Sequence, residues 1–382
     1  MNNLIYLDNA ATTFCSQIVA QKLAEFFSMP HGNPSGVHKL SLKSAKLIQE
    51  AREFFATSFQ VKPTQVIFTA SGTEANNLAL SGMLQRSKRR IILTTPIEHA
   101  SVLKTLESWA KRGFELCFLK INSQGQVDLD DLAQKLSAET ALVSVMAVNN
   151  EIGTIAPLKT MGEIIRKKNR NILFHVDAVQ AFGKVPLEFK NWNIDLLSIS
   201  SHKIHGPIGA GALIMSDRVL LEPLLYGGGQ EDGLRSGTES VGMILGFYWA
   251  AEDILKNQLE NHQRILELKA YFMEGLKKLS CDIQMNSPEQ SSPYILNISF
   301  KGCESEVLIR MLEEENIFTS SGASCNSRHR KSSHVLKAIG LSDKDIFGTI
   351  RFSFSPETKK EEIDKTLEIL PRILERLRYV SH

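Results

Sequence analysis

The chain has 382 residues, with 44 basic against 42 acidic side chains and a formal net charge of +2. That balance removes any global electrostatic reason to expect nucleic acid or a membrane surface as a partner. Five cysteines, odd in number and without a CxxC pair, argue against a disulfide framework or structural zinc; with no leader-like N-terminus and no run of 18 apolar residues, a soluble cytoplasmic protein is the expectation.

Taken in chain order, Leu40–Phe59 has helical spacing, and Val66–Thr69 then reads as a strand running into Ser71-Gly72-Thr73-Glu74 at the start of a helix. Helix N-terminal amides, a glycine and a hydroxyl suit a phosphate; the same residues also make a plain capping box between Ser71 and Glu74. Ile91–Thr95 runs into Glu98-His99, where the imidazole is either a ring-stacking or proton-carrying group or a satisfied histidine at a strand end. Leu142–Val148 runs into Asn149-Asn150-Glu151, and Leu158–Lys168 is helical. Ile172–Val176 ends in Asp177, and the run through Ile199 ends in Ser200, His202 and Lys203.

Beyond the turns at Gly227-Gly228-Gly229 and Asp232-Gly233, another helix begins near Ser240, and Glu252–Leu279 reads as one long helix bridging two domains. Tyr294–Phe300 and Thr349–Phe354 have strand character, whereas Glu304–Glu315 and Lys359–Arg378 are amphipathic helices. The expected fold is α/β. A large domain over residues 14–255 carries a mostly parallel, seven-stranded-type sheet, and a smaller α+β domain takes 1–13 and 256–382.

Four strand ends bearing ring-stacking, amide, acid and amine groups point to one pocket, because ligands of open α/β sheets bind outside the carboxyl ends of the strands. A lysine able to form a Schiff base, beside an aspartate able to keep a ring nitrogen protonated, is what pyridoxal phosphate (PLP) chemistry requires. Arg351, in a strand, needs an anion; a substrate carboxylate and a structural salt bridge both answer that need. Cys325 lies in a loop of small and polar residues just before Arg328-His329-Arg330-Lys331, a setting that favours thiolate, although an incidental cysteine before a solvated charge run has the same pattern. Zinc held by His99, His202 and His205 lacks the helix signature of such sites, so no metal is expected.

Tyr6–Thr13, Gly32-Asn33-Pro34-Ser35, Glu98-His99, Val148–Gly153, His175-Val176-Asp177-Ala178 and Arg235-Ser236-Gly237-Thr238 occur in family order. On these motifs the whole chain resembles the PLP-dependent cysteine desulfurases of the NifS and IscS type, within the class V aminotransferase superfamily. The resemblance implies PLP-dependent transferase fold type I, with Lys203 bonded to the cofactor, His99 stacked on its ring, Asp177 on its nitrogen and Gln180 on its phenolic oxygen. It implies a phosphate site from Gly72, Thr73, Ser200 and His202, with Thr238 coming from the neighbouring subunit of a homodimer. Asn150 would hold the cofactor edge, and Asn33, Asn150 and Arg351 the substrate.

Cys325 falls at the position of the persulfide-forming cysteine. The implied reaction turns L-cysteine into L-alanine and passes sulfur to an iron-sulfur scaffold or another acceptor protein, such as one serving tRNA thiolation. Where the family has Ser-Gly-Ser-Ala-Cys-Thr-Ser and then a less basic stretch, this chain has Ser321-Gly322-Ala323-Ser324-Cys325-Asn326-Ser327 and four basic or potentially basic residues. Another class V enzyme, an aminotransferase or selenocysteine lyase, would use the same Lys203 and Asp177. A catalytically weak sulfur-relay scaffold is the reading from a different class.

Overall fold

Burial on both faces is written into the central strands, and a seven-stranded sheet results. A computed structural model describes residues 4–321 and 332–380, with the side chains of 378–380 excepted. Numbered along the chain, β1 (Ile5–Tyr6) is followed by β2 (Val66–Thr69), β3 (Ile91–Thr94), β4 (Glu115–Phe118), β5 (Thr140–Met146), β6 (Leu173–Asp177), β7 (Leu196–Ser200) and β8 (Gly211–Met215). The last seven lie in the order β2-β8-β7-β6-β5-β3-β4. Every residue of β5, β7 and β8 is buried, as near-continuous apolar runs require when helices cover both faces.

Parallel pairing needs a crossover, and the helices Ala100–Ala110, Leu129–Lys135 and Leu158–Lys168 supply it between successive strands from β3 to β6. Between β7 and β8 there is only a short loop with a single 3-10 turn, Ser201–Lys203. β8 therefore pairs antiparallel with both β7 and β2, while the other pairs are parallel. The geometric consequence is that β2, β3, β5, β6 and β7 all end at one edge. One face packs on a core containing Phe55, Phe174 and Phe247, where Phe55 meets Phe68, Phe182 and Phe247 ring to ring; the other packs on Leu80, Leu106 and Leu142.

A second sheet joins β9 (Ile283–Met285), β10 (Ile295–Phe300) and a last strand, β12 (Thr349–Ser353), in the order β12-β10-β9. The intervening β11 (Ile317–Phe318) pairs in parallel with β1. Ile5 and Leu7 are buried in the same core as Phe272, Leu308 and Phe352.

The single helix expected over Glu252–Leu279 is instead two, Val241–Lys256 and Gln258–Lys277. They break at Asn257, whose side-chain amide donates to the Asp253 carbonyl and carboxylate at 3.1 and 3.3 Å. Asparagine competes with the helix for its own backbone groups. The break falls where the chain leaves one core, which holds Ile254, for the other, which holds Ile265.

At Gly162 a helix lies directly against the loop at Trp192. A Cβ there would lie 1.9 Å from the Trp192 carbonyl oxygen. Alanine would improve helix propensity by about 1 kcal/mol, but a main-chain clash cannot rotate away, and overpacking costs about 1–3 kcal/mol. Gly162→Ala should therefore lower unfolding stability by up to about 2 kcal/mol in a denaturant titration; a higher midpoint would show that the helix simply shifts.

Candidate active site

The edge where the parallel strands end opens into a cavity of about 630 Å³. Gly72, Thr73, His99, Asn150, Asp177, Gln180, Ser200, His202, Lys203 and Arg351 all line it. Asn33, expected at the substrate, is not brought to it and is exposed in the loop before the helix Lys39–Phe59; Thr238, expected to serve the neighbouring subunit, is exposed before the helix Val241–Lys256. Cys325 and Arg328–Lys331 lie outside the described residues.

At the end of β2, Ser71 caps the helix Gly72–Arg86 by accepting from the Glu74 N–H, and Glu74 accepts from the Ala70 N–H at 2.9 Å. Ser71 is thus the N-cap, but the reciprocal bond of a capping box falls one residue early, on Ala70, and Gly72 is left facing the cavity. A Cβ on Gly72 would lie 2.6 Å from Val179 and 3.3 Å from Ser200, so only glycine fits this cradle. The Ser200 hydroxyl beside it is buried without a hydrogen-bond partner among the described residues.

Asp177, at the end of β6, accepts from the Val179 N–H at 3.0 Å and from Asn76 Nδ2 at 2.7 Å. Asn76 Nδ2 also donates to Ser101 Oγ at 2.8 Å, and Ser101 Oγ meets His99 Nδ1 at 2.8 Å. The Ser101 backbone N–H donates to that same Nδ1 at 3.1 Å, so the neutral ring carries its proton on Nε2. Burial holds the His99 pKa below its ordinary value; Asp177 opposes this, and Lys203 and His334 add to it.

Lys203 donates to the carbonyls of Ala10 and Ala11 at 2.5 Å each, and Gln180 Nε2 donates to the Ala10 carbonyl at 2.8 Å. His202 Nδ1 meets Thr12 Oγ1 at 3.1 Å; burial first, then Lys203 and Lys184, push its pKa down to about 4. Arg351 comes from β12. Its Nη2 pairs with Asp8 Oδ1 at 2.6 Å and its Nη1 donates to the Asn150 carbonyl at 2.9 Å, while Nε has no partner among the described residues. The structural salt bridge is therefore real, and the same side chain still borders the cavity.

Asn76, Ser101, Ser333 and His334 were missed by sequence reasoning, and all four line the cavity. Asn76 had a signal, since it lies four residues after Gly72 and hence on the same helix face. Ser333 donates to Glu151 at 2.6 Å and His334 Nε2 donates to the Glu98 carbonyl at 3.0 Å, contacts across more than 180 residues that no local pattern announces. A second cavity, about 670 Å³, lies at the opposite, amino edge, where Asp195 already satisfies Arg166 and Arg218; it holds no comparable acid and amine at strand ends.

Residues 5–366 match the family described as aminotransferase class-V. The chain belongs to the class V aminotransferase family. Members are PLP-dependent, and so is this enzyme. It is 38% identical to "Cysteine desulfurase IscS" of Clostridium botulinum (strain Kyoto / Type A2), over 100% of the chain and 97% of that relative. It is 40% identical to "Cysteine desulfurase 2" of Trichormus variabilis, over 99% and 95%. A solved structure titled "NIFS-LIKE PROTEIN" superposes with a TM-score of 0.92 at 34% identity, covering 98% of this chain and all of the other. The donor set fits the class V cofactor: a glycine-floored helix start and an unsatisfied serine hydroxyl suit its phosphate, and a buried carboxylate and an amine suit its ring nitrogen and aldehyde.

Glu98 is fully buried next to His99, with Oε1 accepting from Thr95 Oγ1 at 2.6 Å. Burial, with a smaller push from Asp177, raises its pKa from 4.5 to about 8. The folded protein therefore binds a proton there that the unfolded chain has released, and stability falls as pH rises across that window. Glu98→Gln should flatten the fall in unfolding free energy between about pH 5 and about pH 8; a pH profile identical to wild type would mean Glu98 is ionised in the fold.

Proposed function

We propose that this enzyme is a cysteine desulfurase that takes sulfur from L-cysteine onto Cys325 and yields L-alanine. The observation that carries the reading is that one flank of the Cys325 segment lines the cavity holding Lys203 and Asp177, and the other pairs with Arg351, which lines it too. Ser320 pairs through its backbone with Arg351, and Ser332, Ser333 and His334 line the wall. The full-length likeness to relatives named cysteine desulfurase supports the substrate.

In this reading Gly72, Thr73, Ser200 and His202 hold the cofactor phosphate, Asp177 its ring nitrogen, Gln180 its phenolic oxygen, and His99 its ring face. Bound PLP supplies an electron sink for charge developing at the substrate α-carbon. Arg351 takes the substrate carboxylate with its remaining donor capacity, and Asn150 lies beside it. Lys203 removes the α-proton on Nζ and returns it. The Cys325 thiolate attacks the substrate sulfur: an S–S bond forms, the Cβ–S bond breaks, and its electron pair stays on carbon, which takes a proton.

The persulfide then goes to an acceptor, with an iron-sulfur scaffold favoured by the IscS naming of the relatives. A homodimer is part of the reading. Thr238 would reach the partner's phosphate site, and the exposed Ile18, Phe27, Met29, Val37, Ile208 and Tyr226 offer apolar surface for the interface. Cytoplasmic work is also part of it, in keeping with Cys15 and Cys117 as free thiols.

Sulfide and alanine release from cysteine with reductant tests this. Lys203→Ala should abolish both products and the visible cofactor band. Cys325→Ser should keep the band and its change on adding cysteine, yet release no sulfide and carry no sulfur adduct by mass spectrometry. Normal desulfuration by Cys325→Ser would transfer the assignment to another class V activity.

A further inference from the structure

Lys184 is buried, and nothing in the mechanism above uses it. Gly183, at φ 73° and packed against Ile254, turns the chain so that the Lys184 amine tucks back beneath Gln180, reaching Oε1 at 3.3 Å. Among the described residues no carboxylate accepts from it. The charged and titratable groups around it are Lys203 and Arg351 on the cavity side, His202 and His205 in the β7–β8 loop, His262 with Nδ1 3.0 Å from the Lys184 carbonyl, and the Tyr294 ring 5.9 Å away. An amine so placed is costly to bury, and burial, with Lys203 and Arg351, presses its pKa to about 7. An apolar side chain would fill the space at lower cost.

Gln180 explains why an amine stands there. Its amide lies between the Ala10 carbonyl, which can only accept, and the Lys184 amine, which donates to Oε1 and in its protonated form can only donate. Just one orientation satisfies both: Nε2 toward Ala10 and Oε1 toward Lys184. The second N–H of Nε2 is then left for the cavity that Gln180 lines. A flipped amide would set oxygen against oxygen on one side and two donors together on the other.

We infer that Lys184 is a positioning residue that locks the Gln180 amide with an N–H directed at the cofactor's phenolic oxygen. This rests on the proposed role of Gln180 at that oxygen. The test is a double-mutant cycle on PLP-loaded protein, read as the pH midpoint of the visible absorption band. An N–H donor stabilises the anionic oxygen, and its loss lets the chromophore hold its proton more tightly. Lys184→Met and Gln180→Leu should each raise the midpoint by about one pH unit, and the double variant should match Gln180→Leu alone, because the first residue acts through the second.

Lys184→Arg, which keeps donor and charge, should restore most of the shift. An unmoved midpoint in Lys184→Met, or shifts that add in the double variant, overturns the inference. Should Lys184→Met fail to fold, Lys184→Leu, which likewise removes donor and charge, enters the same cycle under the same criteria. A shift in Lys184→Met with none in Gln180→Leu would instead remove Gln180 from the phenolic oxygen, which separates failure of the underlying role from failure of the lock.

Discussion

A guanidinium buried where two cores meet has to be satisfied from several directions, and Arg351 ties the site together by meeting that demand. It rises from β12 in the smaller sheet, pairs with Asp8 in the N-terminal segment, and donates to the carbonyl of Asn150 beyond β5. Breaking a buried pair leaves an uncompensated charge, so these three pieces of chain are held in one arrangement. Asp8 in turn fixes where Ala10 and Ala11 lie, and their carbonyls receive Lys203 and, at Ala10, Gln180. That ion pair, with the bonds from Asn9 and Ala10 to Ser353, helps to set the position of the amine at the end of β7.

Several titratable groups in and behind the wall around that amine are kept neutral by burial. Burial pushes His175 down to about 3 and His202 down to about 4, lowers His99, and raises Glu98 to about 8. Neutral imidazoles and a protonated carboxyl contribute directional hydrogen bonds in place of competing charge. His175 illustrates this: Nδ1 meets Ser144 and Nε2 meets Ser198 at 2.8 and 3.1 Å on the neighbouring strands. The Asp177 carboxylate is braced by Asn76 and the Val179 N–H, so its orientation is set before any ligand arrives.

The class V family membership makes such bracing intelligible. A PLP enzyme needs an acid, an amine and an anion cradle at fixed separations, and strand ends hold them more rigidly than loops do. The loop between β7 and β8, too short for a crossover helix, is the exception. It keeps its shape by borrowing partners from the N-terminal segment, with Thr13 bonding to both His202 and His205.

Much of this was legible in the linear chain because strand ends are local events. Apolar runs stop where buried faces stop, and the residues that follow, Gly72, His99, Asn150, Asp177 and Lys203, reach one edge once the strands are parallel. Long-range choices were not legible. Asn257 looked like any polar residue on a long helix until the chain had to pass between two cores. Asp8 as the partner of Arg351, and Ser333 and His334 as wall residues, follow from contacts spanning hundreds of positions. Asn33 and Thr238 carry family motifs yet stand outside the cavity of their own chain. What the amino-acid sequence determined by itself is the set of chemical groups and the strand ends that bear them, since both depend on neighbours along the chain. Which partners hold those groups, and in which protonation state, only the tertiary structure decided, because burial and pairing are properties of space and not of order along the chain.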